Sequence, residues 1–468
     1  MFKIETFNLA ELISWAFLAY FIAINLFYFF LNFSSLFTIH RYVQWRDLQD
    51  LPQSYTDFEI PISIIAPAYN EEKNIVASIY SLLQLDYPQY EIIVVNDGSK
   101  DKTLEVLIKE FSLIPFAEAS QEHCKTEKIK SVYRSQNYPN LRIIDKENGG
   151  KADALNAGIN SSRYPLFCSI DSDSILQRNS LRKVVQPFLE DPNTIASGGT
   201  VRVANGCLIE KGFMMEVKLP KKFLPLVQIV EYLRAFLFGR MGWAGLNGVL
   251  IISGAFGLFH KQSVIDAGCY KKHTIGEDME LVVRLHRMKR LQQKPYRIAF
   301  VPDPICWTEA PEDLKTLKQQ RVRWQRGLCE SLWSNRKLLF NPKGGVVSWM
   351  SFPFMIFFEA LEPLVQLSGY LVTLIFYLTG QISLDFFVAF VILVLSMGSL
   401  LSVSSLFLEE ISFHVYPGMR QSIILFFSSI LENFGYRQLN AYWRLLGLLE
   451  WFFGYKKKWG TMVRKGMN

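Results

Sequence analysis

The chain has 468 residues, of which 50% are hydrophobic and 20% charged, and its formal net charge is +7. The mean hydropathy of +0.14 is too high for an ordinary soluble enzyme, and the charged fraction is too high for a protein that lies in lipid throughout. The basic residues are spread along the chain, which argues against a nucleic-acid partner. The composition predicts a soluble domain joined to membrane segments.

The first membrane segment is predicted at residues 13–39, a run without a charged side chain that is long enough to cross a bilayer as a helix. Glu5 and Glu11 precede the run and no cleavage site follows it, so a permanent anchor is expected rather than a signal peptide. Arg41 and Arg46 follow it. The positive-inside rule therefore predicts that the next domain is cytosolic.

Two further spans are predicted at residues 348–379 and 386–408, whereas charges interrupt residues 422–453 and favour helices lying at the membrane interface. The expected protein is an integral, multi-pass one, and a bacterial inner membrane suits its compact architecture. The predicted domains are an N-terminal transmembrane anchor (1–45), a cytosolic catalytic domain (46–335), transmembrane helices (336–410), and interfacial helices with a basic tail (411–468).

Between the membrane segments, strand and helix patterns alternate. Strands are predicted at residues 62–66, 91–95, 141–144, 165–170, 195–203, 248–258 and 297–302. The first two strands and the helix between them form a βαβ unit, which predicts an α/β domain with a parallel sheet. Residues 112–139 are expected to form an irregular surface insertion. No G-x-G-x-x-G motif follows the first strand, so the usual dinucleotide-binding fingerprint is missing.

The six cysteines have no regular spacing and no Cys-x-x-Cys pair. This pattern argues against a disulfide framework and against a zinc site. We expect reduced thiols on a cytosolic domain.

Acidic residues directly follow two of the predicted strands. Asp97 comes after one strand, and Asp171 and Asp173 come after another. Ligands of open α/β sheets bind at the carboxyl ends of strands, and two carboxylates plus substrate phosphates are a common setting for Mg²⁺ or Mn²⁺. The alternative for an isolated Asp-x-Asp is a solvated turn. The second acid after a neighbouring strand favours a metal site.

Two further motifs begin predicted helices. In Asn148-Gly149-Gly150-Lys151, backbone N–H groups and an ammonium can bind a phosphate. The alternative is an ordinary glycine turn that caps the helix. In Gly276-Glu277-Asp278, two acids lie at a helix N-terminus, where they either cap the helix or supply a general base.

A predicted helix at residues 312–333 carries Gln320, Arg323, Trp324 and Gly327 at positions i, i+3, i+4 and i+7, hence on one face. The alternative is that this face of the helix is basic and exposed to solvent without a binding role. An amide, a guanidinium and an indole together suit a site that holds a diphosphate and stacks on a sugar ring.

Six motifs, in their order along the chain, resemble those of the membrane-bound family 2 glycosyltransferases. They are NDGSKDKT, NGGKADALN, DSD, SGAFGLF, GED and QRVRW. Among them, the processive synthases of cellulose, hyaluronan and poly-N-acetylglucosamine are most similar in kind. The resemblance covers residues 61–328. It implies a GT-A-type domain, which is Rossmann-like, a UDP-sugar donor, and inverting transfer that depends on Mg²⁺ or Mn²⁺.

The resemblance also implies roles for individual residues. On the donor side they are Asp97 at the nucleoside, Lys151 and Arg323 at the phosphates, Asp171 at the diphosphate and metal, and Asp173 at the metal. Asp278 would be the base, with Glu277 beside it in the catalytic acid pair. On the acceptor side they are Gln320, Trp324, Ser253 and Gly254.

The sequence departs from the family pattern at two points. It has Gly276 where the family often has Thr before the acid pair, and the Phe-x-Val-Thr gating signature of cellulose synthases is missing. Trp459, Gly460, Thr461 and Arg464 resemble the gating loop of hyaluronan synthases. The alternative for this segment is a basic tail with a tryptophan at the membrane interface.

The expected function is processive exopolysaccharide synthesis, with a poly-N-acetylglucosamine or glucan-like product. The first alternative is single transfer to a membrane lipid. The second is a receptor or transport subunit that binds sugar nucleotides without catalysis. The expected partners are a UDP-sugar, a polysaccharide or lipid acceptor, the lipid bilayer and accessory secretion subunits.

Overall fold

A computed structural model describes residues 9–49, 59–118, 122–210, 212–416 and 418–455. The strands are β1 (Ile62–Ala68), β2 (Tyr90–Asp97), β3 (Leu113–Pro115), β4 (Ile129–Ser135), β5 (Leu141–Lys146), β6 (Leu166–Ile170), β7 (Ile175–Leu176), β8 (Thr194–Val203), β9 (Leu208–Glu210), β10 (Phe213–Glu216), β11 (Phe256–His260) and β12 (Arg297–Thr308).

The helices are α1 (Leu9–Gln49), α2 (Ile75–Leu83), α3 (Thr103–Glu110), α4 (Lys151–Ser161), α5 (Ser180–Glu190), α6 (Phe223–Leu233), α7 (Met241–Ala244), α8 (Lys261–Asp266), α9 (Glu277–Leu291), α10 (Leu314–Ser334), α11 (Phe352–Phe354), α12 (Glu362–Leu378), α13 (Leu384–Ser412), α14 (Met419–Leu431) and α15 (Tyr436–Phe452). Three π-helical segments continue or precede them, at Arg234–Arg240, Val347–Ser351 and Met355–Ala360.

Within the described residues, ten strands form one mixed sheet in the order β3-β4-β5-β2-β1-β6-β11-β8-β12-β7. Strands β5, β2, β1 and β6 are parallel, and β11 runs antiparallel between β6 and β8. Strands β1, β2 and β6 are buried almost throughout, because helices cover both faces of the sheet. The predicted α/β class is confirmed, and the acidic residues after β2 and β6 meet at one edge.

Two stretches differ from the sequence-based expectation. The predicted irregular insertion at residues 112–139 contains the edge strands β3 and β4, which extend the sheet beside β5. The strand predicted at residues 248–258 begins only at Phe256. The residues before Phe256 leave the sheet and line a cavity instead, so an apolar run was mistaken for a longer strand.

Cys124 and Cys269 form a disulfide across 145 residues of sequence, so the expectation of reduced thiols was wrong for this pair. Two asparagines of α4 bring the cysteines together. The side chain of Asn160 hydrogen-bonds both the N–H and the carbonyl of Cys124, and that of Asn156 does the same for Tyr270. Spacing in the sequence gives no sign of this pairing, because α4 creates it.

By length and composition, two described helices can cross a membrane: α1 over Leu12–Gln44, and α13. A third candidate is the bent pair Val347–Ala360 and Glu362–Leu378, whose halves meet at 44°. The predicted span at residues 348–379 is therefore broken near its middle. Residues 422–453 form parts of two helices, α14 and α15, and their interfacial location stays a prediction.

A buried ion pair links the mixed sheet to a candidate membrane helix. Arg202 on β8 lies 2.5 Å from Glu409 on α13, and both side chains are almost fully buried. Glu409 also accepts a hydrogen bond from the backbone N–H of Val415. Removing one partner of a buried pair leaves an uncompensated charge, which is far costlier than removing both.

We predict that Arg202→Met lowers the free energy of unfolding by about 3–5 kcal/mol, because Glu409 is left buried without a cation. Denaturant unfolding of the detergent-solubilised protein would measure it. The double variant Arg202→Met/Glu409→Gln should recover part of the loss. As a control, Arg297→Met breaks an exposed pair with Glu190 and should cost less than about 1 kcal/mol. Equal losses in both single variants would contradict the prediction.

Candidate active site

A cavity of about 1580 Å³ extends from the carboxyl ends of the parallel strands to the candidate membrane helices. It brings together every site residue predicted from the sequence within the described part of the chain. These are Asp97, Lys151, Asp171, Asp173, Ser253, Gly254, Glu277, Asp278, Gln320, Arg323 and Trp324. Trp459, Gly460, Thr461 and Arg464, predicted as a gating loop, lie outside the described residues.

Lys151, the first residue of α4, links two of the acidic motifs. Its Nζ lies 2.5 Å from Asp171 Oδ1 and 3.3 Å from Glu277 Oε1. Burial alone would lower the pKa of Lys151, but the neighbouring carboxylates outweigh burial and raise this pKa above its ordinary value. The ammonium is therefore charged at neutral pH and holds the end of β6 against the start of α9.

The two acids of the Gly-Glu-Asp motif have different surroundings. Glu277 is buried, and this burial raises the pKa of its carboxyl. Asp278 is half-buried and faces the cavity; its Oδ2 accepts a hydrogen bond of 2.9 Å from the Gly254 N–H. A second hydrogen bond, from the Met279 N–H, reaches Asp278 Oδ1. Both acids line the cavity, but Asp278 is the more exposed of the two, and backbone N–H groups hold its carboxylate in place.

Asp97 is buried at the end of β2 and organises a loop. Its carboxylate accepts hydrogen bonds from Lys146 Nζ (2.6 Å), the Gly150 N–H (2.7 Å), the Gly149 N–H (3.0 Å) and Asn148 Nδ2 (3.1 Å). Lys146 was missed by sequence reasoning, although it lies opposite Asp97 in the β2–β5 register. Its role is visible only once the two strands are paired. A nucleoside contact by Asp97 stays a prediction.

Helix α10 presents the predicted face to the cavity. Trp324 is 46% exposed, and Arg321 Cζ lies 4.5 Å above its ring. Gln320 is buried, and its Oε1 has no hydrogen-bond partner among the described residues. An amide oxygen buried in this way is a ready acceptor for a hydroxyl donor. All four residues of the predicted face, Gln320, Arg323, Trp324 and Gly327, line the cavity, and their roles stay predictions.

Two glycines set the distance between α10 and the acid pair. A Cβ on Gly327 would lie 2.9 Å from the Cα of Gly276, and a Cβ on Gly276 would lie 3.0 Å from Gly327. Backbone therefore packs directly on backbone here. The contact explains why glycine precedes the acid pair, which the sequence alone left open.

The same helix is tied to the membrane half of the molecule, the part built from α1 and α11–α15 that contains the candidate membrane helices. Gln325 Oε1 accepts a hydrogen bond from Arg444 Nε on α15, and Gln325 Nε2 donates to the carbonyl of Ala360. Arg444 also pairs with Glu362 at 3.0 Å, at the start of α12. These contacts fasten α10 to α15 and, through Arg444, to the start of α12.

The carboxylate oxygens at the end of β6 suit a divalent cation that is also coordinated by phosphates. Asp171 and Asp173 are both cavity-lining carboxylates. Within the described residues, no group of three or more His, Cys, Asp or Glu side chains forms a complete metal cage. Mg²⁺ and Mn²⁺ sites at nucleotides need no such cage, because one or two carboxylates and the phosphates suffice.

Comparison with known proteins gives two matching families. The profile described as "Glycosyl transferase family 2" matches residues 63–241, and that described as "Glycosyl transferase family group 2" matches residues 166–408, more than half of the chain. The poly-beta-1,6-N-acetyl-D-glucosamine synthase of Staphylococcus epidermidis is 28% identical over 59% of this chain and 57% of its own length. The synthase of Staphylococcus aureus strain COL is 30% identical over 58% and 55%, respectively. The chain thus spans about half the length of the curated relatives it matches.

Among solved structures, a mannosyltransferase from Pyrobaculum calidifontis, in complex with GDP-Man and Mn²⁺, aligns with a TM-score of 0.51. The alignment covers 92% of this chain and 100% of the mannosyltransferase at 16% identity. At this identity the likeness concerns the fold, and it agrees with the predicted GT-A-type architecture.

We predict that Gly327→Ala lowers the rate of sugar transfer at least tenfold, because the added methyl group pushes α10 away from the acid pair. Initial rates with saturating donor would measure it. Gly418→Ala is the control, since a Cβ there meets nothing closer than 3.5 Å. Unchanged transfer by Gly327→Ala would show that the close contact does not position the site.

Proposed function

Since this chain belongs to glycosyl transferase family group 2, we propose that it extends a polysaccharide at a membrane by inverting transfer from a UDP-sugar. The observation that carries the proposal is the single cavity that joins the carboxylates at the strand ends to the space between the membrane helices. A donor can lie at one end of this cavity while an elongating acceptor occupies the other.

In the proposed reaction, Asp278 accepts the proton of an acceptor hydroxyl as that oxygen attacks the anomeric carbon. The bond from that carbon to the UDP oxygen breaks, and UDP leaves with the electron pair. One general base is sufficient for such a direct displacement. The hydrogen bonds from Gly254 and Met279 support this role, because they hold the Asp278 carboxylate towards the cavity.

Lys151 and Arg323 supply positive charge for the departing diphosphate. Glu277 would keep the Lys151 ammonium in place, which its contact of 3.3 Å supports. Asp171 and Asp173 would hold Mg²⁺ or Mn²⁺, and the bound metal would neutralise negative charge on the phosphates. The Mn²⁺ in the mannosyltransferase of similar fold also supports a divalent metal here.

The lining of the membrane half supports a sugar chain as acceptor rather than a lipid alone. It contains polar and charged side chains, namely Asn25, Glu359, Glu362, Gln366, Asn433, Arg437, Gln438 and Arg444. Several of these groups also bond within the protein, as Arg444 does with Glu362. Their remaining donors and acceptors can exchange hydrogen bonds with hydroxyls, which a hydrocarbon tail does not offer. Trp324 would form an apolar floor on which a sugar ring stacks.

The curated relatives direct the choice of sugar and location. Because they are poly-beta-1,6-N-acetyl-D-glucosamine synthases, we propose N-acetylglucosamine as the transferred sugar. The proposed protein is a multi-pass one of a bacterial inner membrane with its catalytic domain in the cytosol. Accessory secretion subunits would act with it.

We predict that the wild-type protein in nanodiscs, given UDP-N-acetylglucosamine and Mg²⁺ or Mn²⁺, forms a high-mass, glycosidase-sensitive product. Parallel reactions with UDP-glucose and UDP-galactose test the choice of sugar. Asp278→Asn should reduce transfer at least a thousandfold, because the base is lost, while the affinity for UDP stays within twofold. Product sizing and UDP calorimetry give the two readouts.

Asp266→Asn, an exposed acid on α8, is the matched control and should behave as wild type. A short, organic-extractable product would replace the proposal with transfer to a lipid. Substantial turnover by Asp278→Asn would remove this residue from the role of base. UDP binding without any transfer would favour a non-catalytic subunit.

We predict that chelation by EDTA abolishes transfer and that Mn²⁺ or Mg²⁺ restores it, because the donor phosphates need the metal charge. Asp173→Ala should lose at least a hundredfold in activity and should not recover when excess metal is added. Activity titrated against metal concentration is the measurement. Undiminished metal-dependent turnover by Asp173→Ala would place the metal elsewhere.

A further inference from the structure

Arg240 is a cavity-lining cation that neither the sequence motifs nor the proposed reaction uses. It is the last residue of the π-helical segment Arg234–Arg240. Its Cζ lies 3.7 Å from the centroid of the Phe236 ring and 6.0 Å from that of Phe300. One face of the guanidinium is therefore covered by an aromatic ring, which leaves its edge for polar contacts.

This guanidinium lacks the polar partners that other buried arginines have. No hydrogen bond or ion pair joins Arg240 to the described residues, and its Nη1 is buried without a partner. By contrast, Arg234, at the other end of the same segment, pairs with Glu432 and Ser402. Buried donors are normally satisfied, so an arginine without a partner beside a cavity indicates a missing acceptor.

The packing of the segment that carries Arg240 indicates the part of the cavity in which its guanidinium lies. Its π-helical segment packs against α1 and α13 on the membrane side, and against β8 and β12 of the sheet. Burial lowers the pKa of Arg240 to about 10, and the negative charge of Asp278 opposes this shift. The guanidinium is thus charged at neutral pH and lies within electrostatic reach of the proposed base, on a segment that also packs on α1 and α13.

We propose that Arg240 binds the acceptor, donating hydrogen bonds from its guanidinium edge to uncharged oxygens of the terminal sugar. This inference rests on the proposed function, because it requires a sugar acceptor whose hydroxyl reaches Asp278. The donor diphosphate already has Lys151 and Arg323 as counter-charges. Hydroxyl, ring and amide oxygens of a neutral sugar fit the edge of a guanidinium that is stacked on Phe236.

The test compares Arg240→Met, which keeps the length of the side chain but removes its donors, with Arg240→Lys, which keeps a charge. The probe is a β-1,6-linked N-acetylglucosamine tetramer, titrated by calorimetry into the UDP-bound protein and used as acceptor in transfer assays. We expect Arg240→Met to weaken tetramer binding and to raise the acceptor KM at least tenfold. Arg240→Lys should lose less.

Two readouts separate binding from a merely structural effect. Donor hydrolysis without acceptor and the affinity for UDP should both stay within twofold of wild type in Arg240→Met. Arg134→Met is the matched control, since it removes a guanidinium that lies 5.9 Å from the Phe116 ring and does not line the cavity. It should leave tetramer affinity unchanged.

Several results would overturn the inference. The first is that wild type and Arg240→Met bind the tetramer with the same affinity, or that wild type does not bind it at all. The second is a rise in donor KM that matches the rise in acceptor KM. The third is loss of UDP binding in both Arg240 variants. Failure of the proposed function gives a different result. In that case wild type transfers no sugar, while the direct binding measurement still reports on Arg240.

Discussion

Two carboxylates from different parts of the chain share one ammonium group, that of Lys151. Asp171 directly follows β6 of the mixed sheet, and Glu277 begins a helix more than a hundred residues later. Like charges this close would repel each other without a cation between them. The Lys151 ammonium therefore permits the donor end and the acid pair to form one site. The position of Asp278 follows from it, since Asp278 is the next residue after Glu277.

The site also depends on how the sheet and α10 are joined to the C-terminal helices. Gln325 on α10 is hydrogen-bonded to Arg444 on α15, and Arg202 on the sheet pairs with Glu409 on α13. Both contacts use charged groups that are costly to bury unless they are paired. Such contacts fix orientation, because few arrangements of the helices satisfy them.

The sequence-based predictions failed where a feature leaves no distinctive local pattern in the sequence. The edge strands β3 and β4 lie in a polar stretch, and little of β4 is buried, so their pattern resembles a loop. The disulfide of Cys124 and Cys269 exists because α4 holds two distant segments side by side. Arg240 carries no motif, and its significance comes from the partners that it lacks.

The sequence by itself determined the α/β class, the order of the acidic motifs and the candidate membrane segments. These properties depend on local periodicity and on residue types that directly follow buried strands. It also predicted that Gln320, Arg323 and Trp324 share a face, since helical spacing is fixed by backbone geometry. Tertiary structure alone decided that Lys146 engages Asp97, that Gly327 packs on Gly276, and that the cavity reaches the candidate membrane helices. Those contacts join residues far apart in the chain, where distance is set by packing.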